Sequence, residues 1–167
     1  MHKTRSGFTI VELLIVIVVI GILAAIMIVA YNGIQNRANE SVVQSDLAAF
    51  HKKVSLYNSE FGNYPKDTSE LATIRSGFTK SAYYTANEGN VTYCASTNGA
   101  AYLLIARGTN GKRYYIGSND KLQEYTGAYG TPSAMCSSVG LAYAYGAWGY
   151  ELPGWGSPGW KVWTSAS

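Results

Sequence analysis

The sequence predicts an α+β protein: a long N-terminal α-helix, made of an apolar stem and an amphipathic second half, packed on a small antiparallel β-sheet head. Three observations carry that expectation. From Phe8 to Ala30 the only polar side chains are Thr9 and Glu12, and after Glu12 no charge occurs before Arg37. Val43, Leu47, Phe50, Val54, Tyr57 and Phe61 then recur at steps of 4, 3, 4, 3 and 4, the spacing of one helical face. Beyond Pro65, the first proline of the chain, the pattern changes to short β-rich runs separated by Gly and Asn.

Composition alone hides this division. The chain has 167 residues, 13 Lys+Arg against 10 Asp+Glu, and only 14% charged residues, with 14 Tyr, 4 Trp and 18 Gly. Those values fit one domain of ordinary size and argue against intrinsic disorder. The net charge of +3 also lacks the basic excess of a dedicated nucleic-acid binder.

The apolar run of residues 8–30 reaches roughly 35 Å as a helix, enough to cross a hydrocarbon core of about 30 Å. Lys3 and Arg5 precede it, and the next basic residue is Arg37, so the charge bias keeps the N-terminus in the cytoplasm and places the rest outside. A secretory signal is one reading, but its apolar stretch should be about 7–15 residues. A plain single-span anchor fits the length and leaves Glu12 unexplained, because ionisable groups inside a span usually have a partner.

A third reading comes from Gly7-Phe8-Thr9-Ile10-Val11-Glu12-Leu13-Leu14 behind a short basic leader. This segment resembles the class III signal of type IV pilins, closely over residues 6–26 and more loosely through Pro65. The resemblance implies that a membrane-embedded prepilin peptidase cuts between Gly7 and Phe8 and methylates the new amine of Phe8. It further implies that the helix stays on the mature subunit, where Glu12 can pair with the Phe8 amine of a neighbouring subunit during assembly. The simpler account of Glu12 is a carboxylate that snorkels to the headgroups. Many pilins carry a proline where this chain has Val29, so no proline kink is expected, though Gly21 and Gly33 mark weak points of the helix.

The expected organisation is therefore a cleaved leader at 1–7, a transmembrane and filament-core helix at 8–30, an amphipathic continuation at 31–62, and an extracellular head at 63–167. Gly62 caps the helix and Pro65 prevents its continuation. Residues 68–74 read as a short helical turn. Residues 91–96, 101–109 and 112–117 read as strands, with Asn110-Gly111 as a type I′ turn, and residues 161–164 as a final strand. Cys94 and Cys136 both fall outside the cytoplasm, which favours a disulfide over two buried thiols. Many pilins fasten a C-terminal loop in this way.

The sequence shows no pattern for catalysis, a metal or a cofactor, and His51 reads as a residue of the helix's polar side. Lys112-Arg113-Tyr114-Tyr115 reads as solvated charge beside sheet tyrosines, with contact to DNA as the alternative. Asn90-Val91-Thr92 fits a glycan acceptor. The segment after Tyr125 holds all four Trp, either as packing or as an adhesive, glycan-stacking surface.

The functional expectation is a non-enzymatic structural subunit, a major pilin, that waits in the cytoplasmic membrane and ends in an extracellular pilus. Its implied partners are identical subunits, the peptidase/methyltransferase, and an inner-membrane platform driven by an assembly ATPase. A minor or competence pilin, a type II secretion pseudopilin, and a membrane-anchored adhesin or sugar-binding module are the alternatives.

Overall fold

The computed structural model of the chain describes residues 7–74, 77–83, 90–119, 121–127, 130, 132–142 and 145–148. Helix α1, Ile10–Phe61, is followed by a short helix α2, Thr68–Ala72, and a 3-10 turn, Lys80–Ala82. Strands β1, Val91–Ala95, β2, Tyr102–Arg107, β3, Arg113–Gly117, and β4, Gln123–Glu124, come next. Helix α3, Pro132–Ser138, and strand β5, Tyr145–Trp148, complete the described elements. The chain divides into two compact units, Met1–Arg37 and Ala38–Ser167.

In the second unit, α1 ends where the sequence places its end. Gly62 takes the left-handed conformation at φ 75°. Its N–H donates to the Asn58 carbonyl at 2.8 Å, closing the last turn. Tyr64 N–H then donates to the Gly99 carbonyl at 2.8 Å, so the chain leaving the helix is tied to the turn between β1 and β2. Asp67 caps α2 by accepting from Glu70 N–H at 2.8 Å and from Ser69 Oγ at 2.6 Å. Those two donors hold its carboxyl below the usual carboxylate range, the Ser69 hydroxyl contributing most.

The sheet has the order β4-β3-β2-β1-β5, and every neighbouring pair is antiparallel. β1 to β4 form a meander of consecutive strands, and β5 returns beside β1 after α3. Alternation along the strands separates two apolar faces. Tyr93, Tyr102, Leu104, Ala106, Tyr114 and Ile116 join Val43, Leu47, Phe50 and Val54 of α1 in the main core. Cys94, Leu103, Ile105, Tyr125, Met135 and Cys136 form a second cluster. Covering both faces explains why all five residues of β1 are buried.

The disulfide Cys94–Cys136 joins β1 to α3 across 42 residues, with a Cα–Cα distance of 6.4 Å and both cysteines fully buried. A loop of that length is stabilised by about 4 kcal/mol in the chain-entropy account. The partner of Cys94 on β5 is Gly146.

One expectation about local structure changes. The β2–β3 turn is not a two-residue type I′ turn, because Gly111 N–H donates to the Gly108 carbonyl at 3.0 Å and puts Thr109 and Asn110 at its centre. Gly111 then supplies the left-handed residue, φ 84°, of a three-residue hairpin loop. Helix α3 and strand β5 were not anticipated. The strand expected at 161–164 and the tryptophans Trp155, Trp160 and Trp163 lie outside the described residues.

Candidate assembly surface

Among the described residues, 8–37 contain the most extensive apolar surface. Phe8 is 80% exposed, and the large side chains from Ile10 to Ile34 are exposed with it. By length and composition α1 can cross a membrane. Water is a poor solvent for such a surface, and single-domain proteins rarely show apolar patches beyond a few hundred Å². Two environments can cover it: lipid, or the equivalent helices of other copies.

At the start of this surface, Gly7, Phe8 and Thr9 precede the first helical turn, and α1 begins at Ile10, two residues later than the sequence suggested. Thr9 is the reason. Its N–H and hydroxyl both donate to Glu12 Oε2, at 2.8 and 2.7 Å, while Glu12 N–H donates back to Thr9 Oγ1 at 3.3 Å. This is a reciprocal capping box, which satisfies two backbone donors that a helix N-terminus otherwise leaves open. Glu12, read from sequence as a carboxylate in need of a partner, has donors within its own chain. The Thr-x-x-Glu spacing ahead of an apolar run is the sequence signal for this box.

The head contributes polar ties between α1 and the sheet. Glu40 accepts from Asn110 Nδ2 and from Tyr114 Oη, the latter at 3.2 Å, and forms an ion pair with Lys112 Nζ at 3.2 Å. Asn39 Nδ2 donates to Thr109 Oγ1 at 2.9 Å. The hydrogen bond to Glu40 is the main reason the Lys112 amine is held above its ordinary range. Lys112 is thus an exposed charge, its side chain 49% accessible, that also pairs with the helix. Further along, Asp46 accepts from Thr79 N–H at 2.7 Å and from Tyr83 Oη at 3.1 Å.

His51 also departs from its reading as a polar-face residue: its Nδ1 shares a hydrogen bond with the Tyr102 hydroxyl. Tyr102 is flanked by Tyr64 and Tyr93 at centroid distances of 4.7 and 5.6 Å. The Tyr93 hydroxyl donates to the Pro65 carbonyl at 2.9 Å, and burial pushes its ionisation far above the ordinary tyrosine range. Asn90 is only 3% exposed and Thr92 is buried in β1, so the apparent glycan acceptor is closed to an enzyme. Among the described residues, no three His, Cys, Asp or Glu side chains converge on a metal position.

Residues 2–28 match the family model described as the prokaryotic N-terminal methylation motif. The chain is similar to the type IV wide pilus major component PilA4 of Thermus thermophilus, 34% identical over 137 residues, covering 81% of this chain and 95% of that protein. It is 36% identical over 85 residues to the type IV major pilin protein PilE of Neisseria gonorrhoeae, half of each chain. It is 26% identical over 114 residues to the type II secretion system core protein G of Klebsiella michiganensis, covering 66% of this chain and 80% of that protein. No solved structure gives a significant match.

Proposed function

Because the chain belongs to the type IV pilin family, we propose that it is the major structural subunit of a type IV pilus, processed at its N-terminus and polymerised through the stem of α1. The observation that carries this reading is the contrast within one helix. Val43, Leu47, Phe50 and Val54 are fully buried against the sheet, whereas every large apolar residue from Phe8 to Ile34 is left uncovered. An exposed apolar surface of that size suits a subunit that sits first in lipid and later in a bundle of identical helices.

In this reading the membrane peptidase cuts between Gly7 and Phe8 on the cytoplasmic side, removing Lys3 and Arg5, the two charges hardest to draw into lipid. The loss leaves 11 basic and 10 acidic residues, a net charge of +1. The cut lies outside the Thr9/Glu12 box, so both Thr9 donors remain on the mature chain. A carboxylate has about four acceptor positions, so Glu12 can keep the Thr9 bonds and still receive the methylated Phe8 amine of a neighbouring subunit. The box lowers the cost of carrying Glu12 through lipid before that neighbour arrives. Extraction and force come from a separate platform and ATPase, and the subunit performs no catalysis of its own.

The similarity to core protein G supports a pseudopilin as the second reading, in which the same stem builds a short secretion fibre. Electron microscopy of sheared surface filaments, with mass analysis of their main component, separates the readings. A long fibre whose dominant chain starts at methylated Phe8 is the expected result. A membrane-retained monomer starting at Met1 would overturn polymerisation altogether. In the same assay Glu12→Ala should be cut at Gly7 yet be missing from fibres, and its incorporation at normal level would sink the pairing role.

A further inference from the structure

Four residues of one hairpin converge on two consecutive residues of α1. Thr109 receives Asn39, while Asn110, Lys112 and Tyr114 all meet the carboxylate of Glu40. Lys112 approaches both carboxylate oxygens, at 3.2 and 3.4 Å, and Asn110 Oδ1 also accepts from Lys112 N–H at 3.0 Å, so the loop is organised around this contact. The apolar core of the head meets α1 from the partly buried Val42 and the fully buried Val43 onward. The polar cluster thus attaches the helix just before apolar packing begins.

On the other side of the cluster the situation reverses. Residues 31–37 are all exposed, and among the described residues none of their side chains makes a hydrogen bond or ion pair. The segment contains Asn32, Gly33 and Asn36, which are poor helix formers, so within the continuous 52-residue α1 it is the stretch with weak propensity and no side-chain support. It also lies beyond the apolar run, where neither lipid nor packing would compensate.

We propose that the Glu40 cluster is a helix stop: local opening of α1 that begins in residues 31–37 ends at Asn39 and Glu40 and does not reach the core of the head. Opening past Glu40 would strip a carboxylate of three donors and release the hairpin loop at once, so the barrier to further unravelling rises abruptly there. The device belongs to the head's own hydrogen bonds and does not depend on which fibre the subunit enters.

Hydrogen exchange followed by mass spectrometry on the full-length protein in detergent micelles tests it. In the wild type, amides of residues 31–37 should exchange about tenfold or more faster than those of residues 43–54. Glu40→Ala should move the boundary inward, speeding residues 39–43 by about tenfold and leaving residues 47–54 unchanged, and Glu40→Gln, which keeps an acceptor oxygen, should have a smaller effect. Equal protection of residues 31–37 and 43–54 in the wild type would overturn the proposal. So would unchanged exchange of residues 39–43 in Glu40→Ala, or uniform acceleration through residue 54, which would mark Glu40 as general stabilisation only.

Discussion

Ile17 and Phe50 lie on the same helix, yet Ile17 is 58% exposed and Phe50 is not exposed at all. The backbone treats them alike; the difference is where their apolar surface finds a partner. The second half of α1 presents a stripe to the sheet, where Val43, Leu47, Phe50 and Val54 complete their burial inside one chain while Phe61 at its end stays 56% exposed. The first half is apolar on every side, and no sheet face could cover it. A helix apolar all round belongs in lipid or in the centre of an assembly, so the stem defers its burial to an encounter outside the chain. Folding of the head and burial of the stem are then separate events with separate energetics.

The sharpest test of that separation pairs one substitution in each half. Phe50→Ala should cost about 3–5 kcal/mol of head stability, because it leaves a cavity between α1 and the sheet. Ile17→Ala should leave the denaturant midpoint of the detergent-solubilised subunit unchanged while lowering the yield of filaments. Comparable destabilisation by both would mean that stem and head unfold as one body. Next in size, reduction of Cys94–Cys136 should lower head stability by roughly 2–4 kcal/mol, read by near-UV circular dichroism. Far-UV signal from the stem should persist, since the disulfide restrains only the sheet and α3.

The smallest effect concerns alkaline pH. The folded-state ionisation of Tyr93 is raised, first by burial and then by its neighbour Tyr102. Its contribution is complete below the unfolded tyrosine value of about 10 and falls as pH rises above it, by about 1.4 kcal/mol per pH unit for one proton. Tyrosinate absorbance should therefore rise late and together with loss of the near-UV signal. Early, reversible ionisation of all tyrosines with the head still folded would contradict the burial of this cluster.

Much of this architecture could be read before any coordinates. The run of residues 8–30 and the 4-3-4-3-4 stripe are repeated signals, and a period sustained over many residues is hard to mistake. Cys94 and Cys136 needed only topology. What escaped the sequence was pairwise and non-local. Nothing near Glu40 announces three donors some 70 residues away, and Cβ-level periodicity cannot foresee that β5 returns beside β1 instead of extending the far edge. The Thr9/Glu12 box is different: its spacing is visible in the sequence, but the same carboxylate also reads as an isolated charge in an apolar run. Asn110-Gly111 carried the right glycine for the wrong turn, because a dipeptide cannot specify how many loop residues precede the left-handed one.

The bonds around Glu40 also bear on timing. Asn110 and Tyr114 lie 70 and 74 residues beyond Glu40, and His51 is 51 residues from Tyr102. Helix α1 can form as soon as it is made, but its attachments must wait for strands synthesised much later, and contacts so distant in sequence slow folding. The nascent head therefore passes through a stage in which Leu47 and Phe50 are uncovered beside an already apolar stem. During that interval the chain has two unpartnered apolar surfaces, of which only one is meant to remain so, and the speed of β2–β3 closure decides how long the distinction between them is absent.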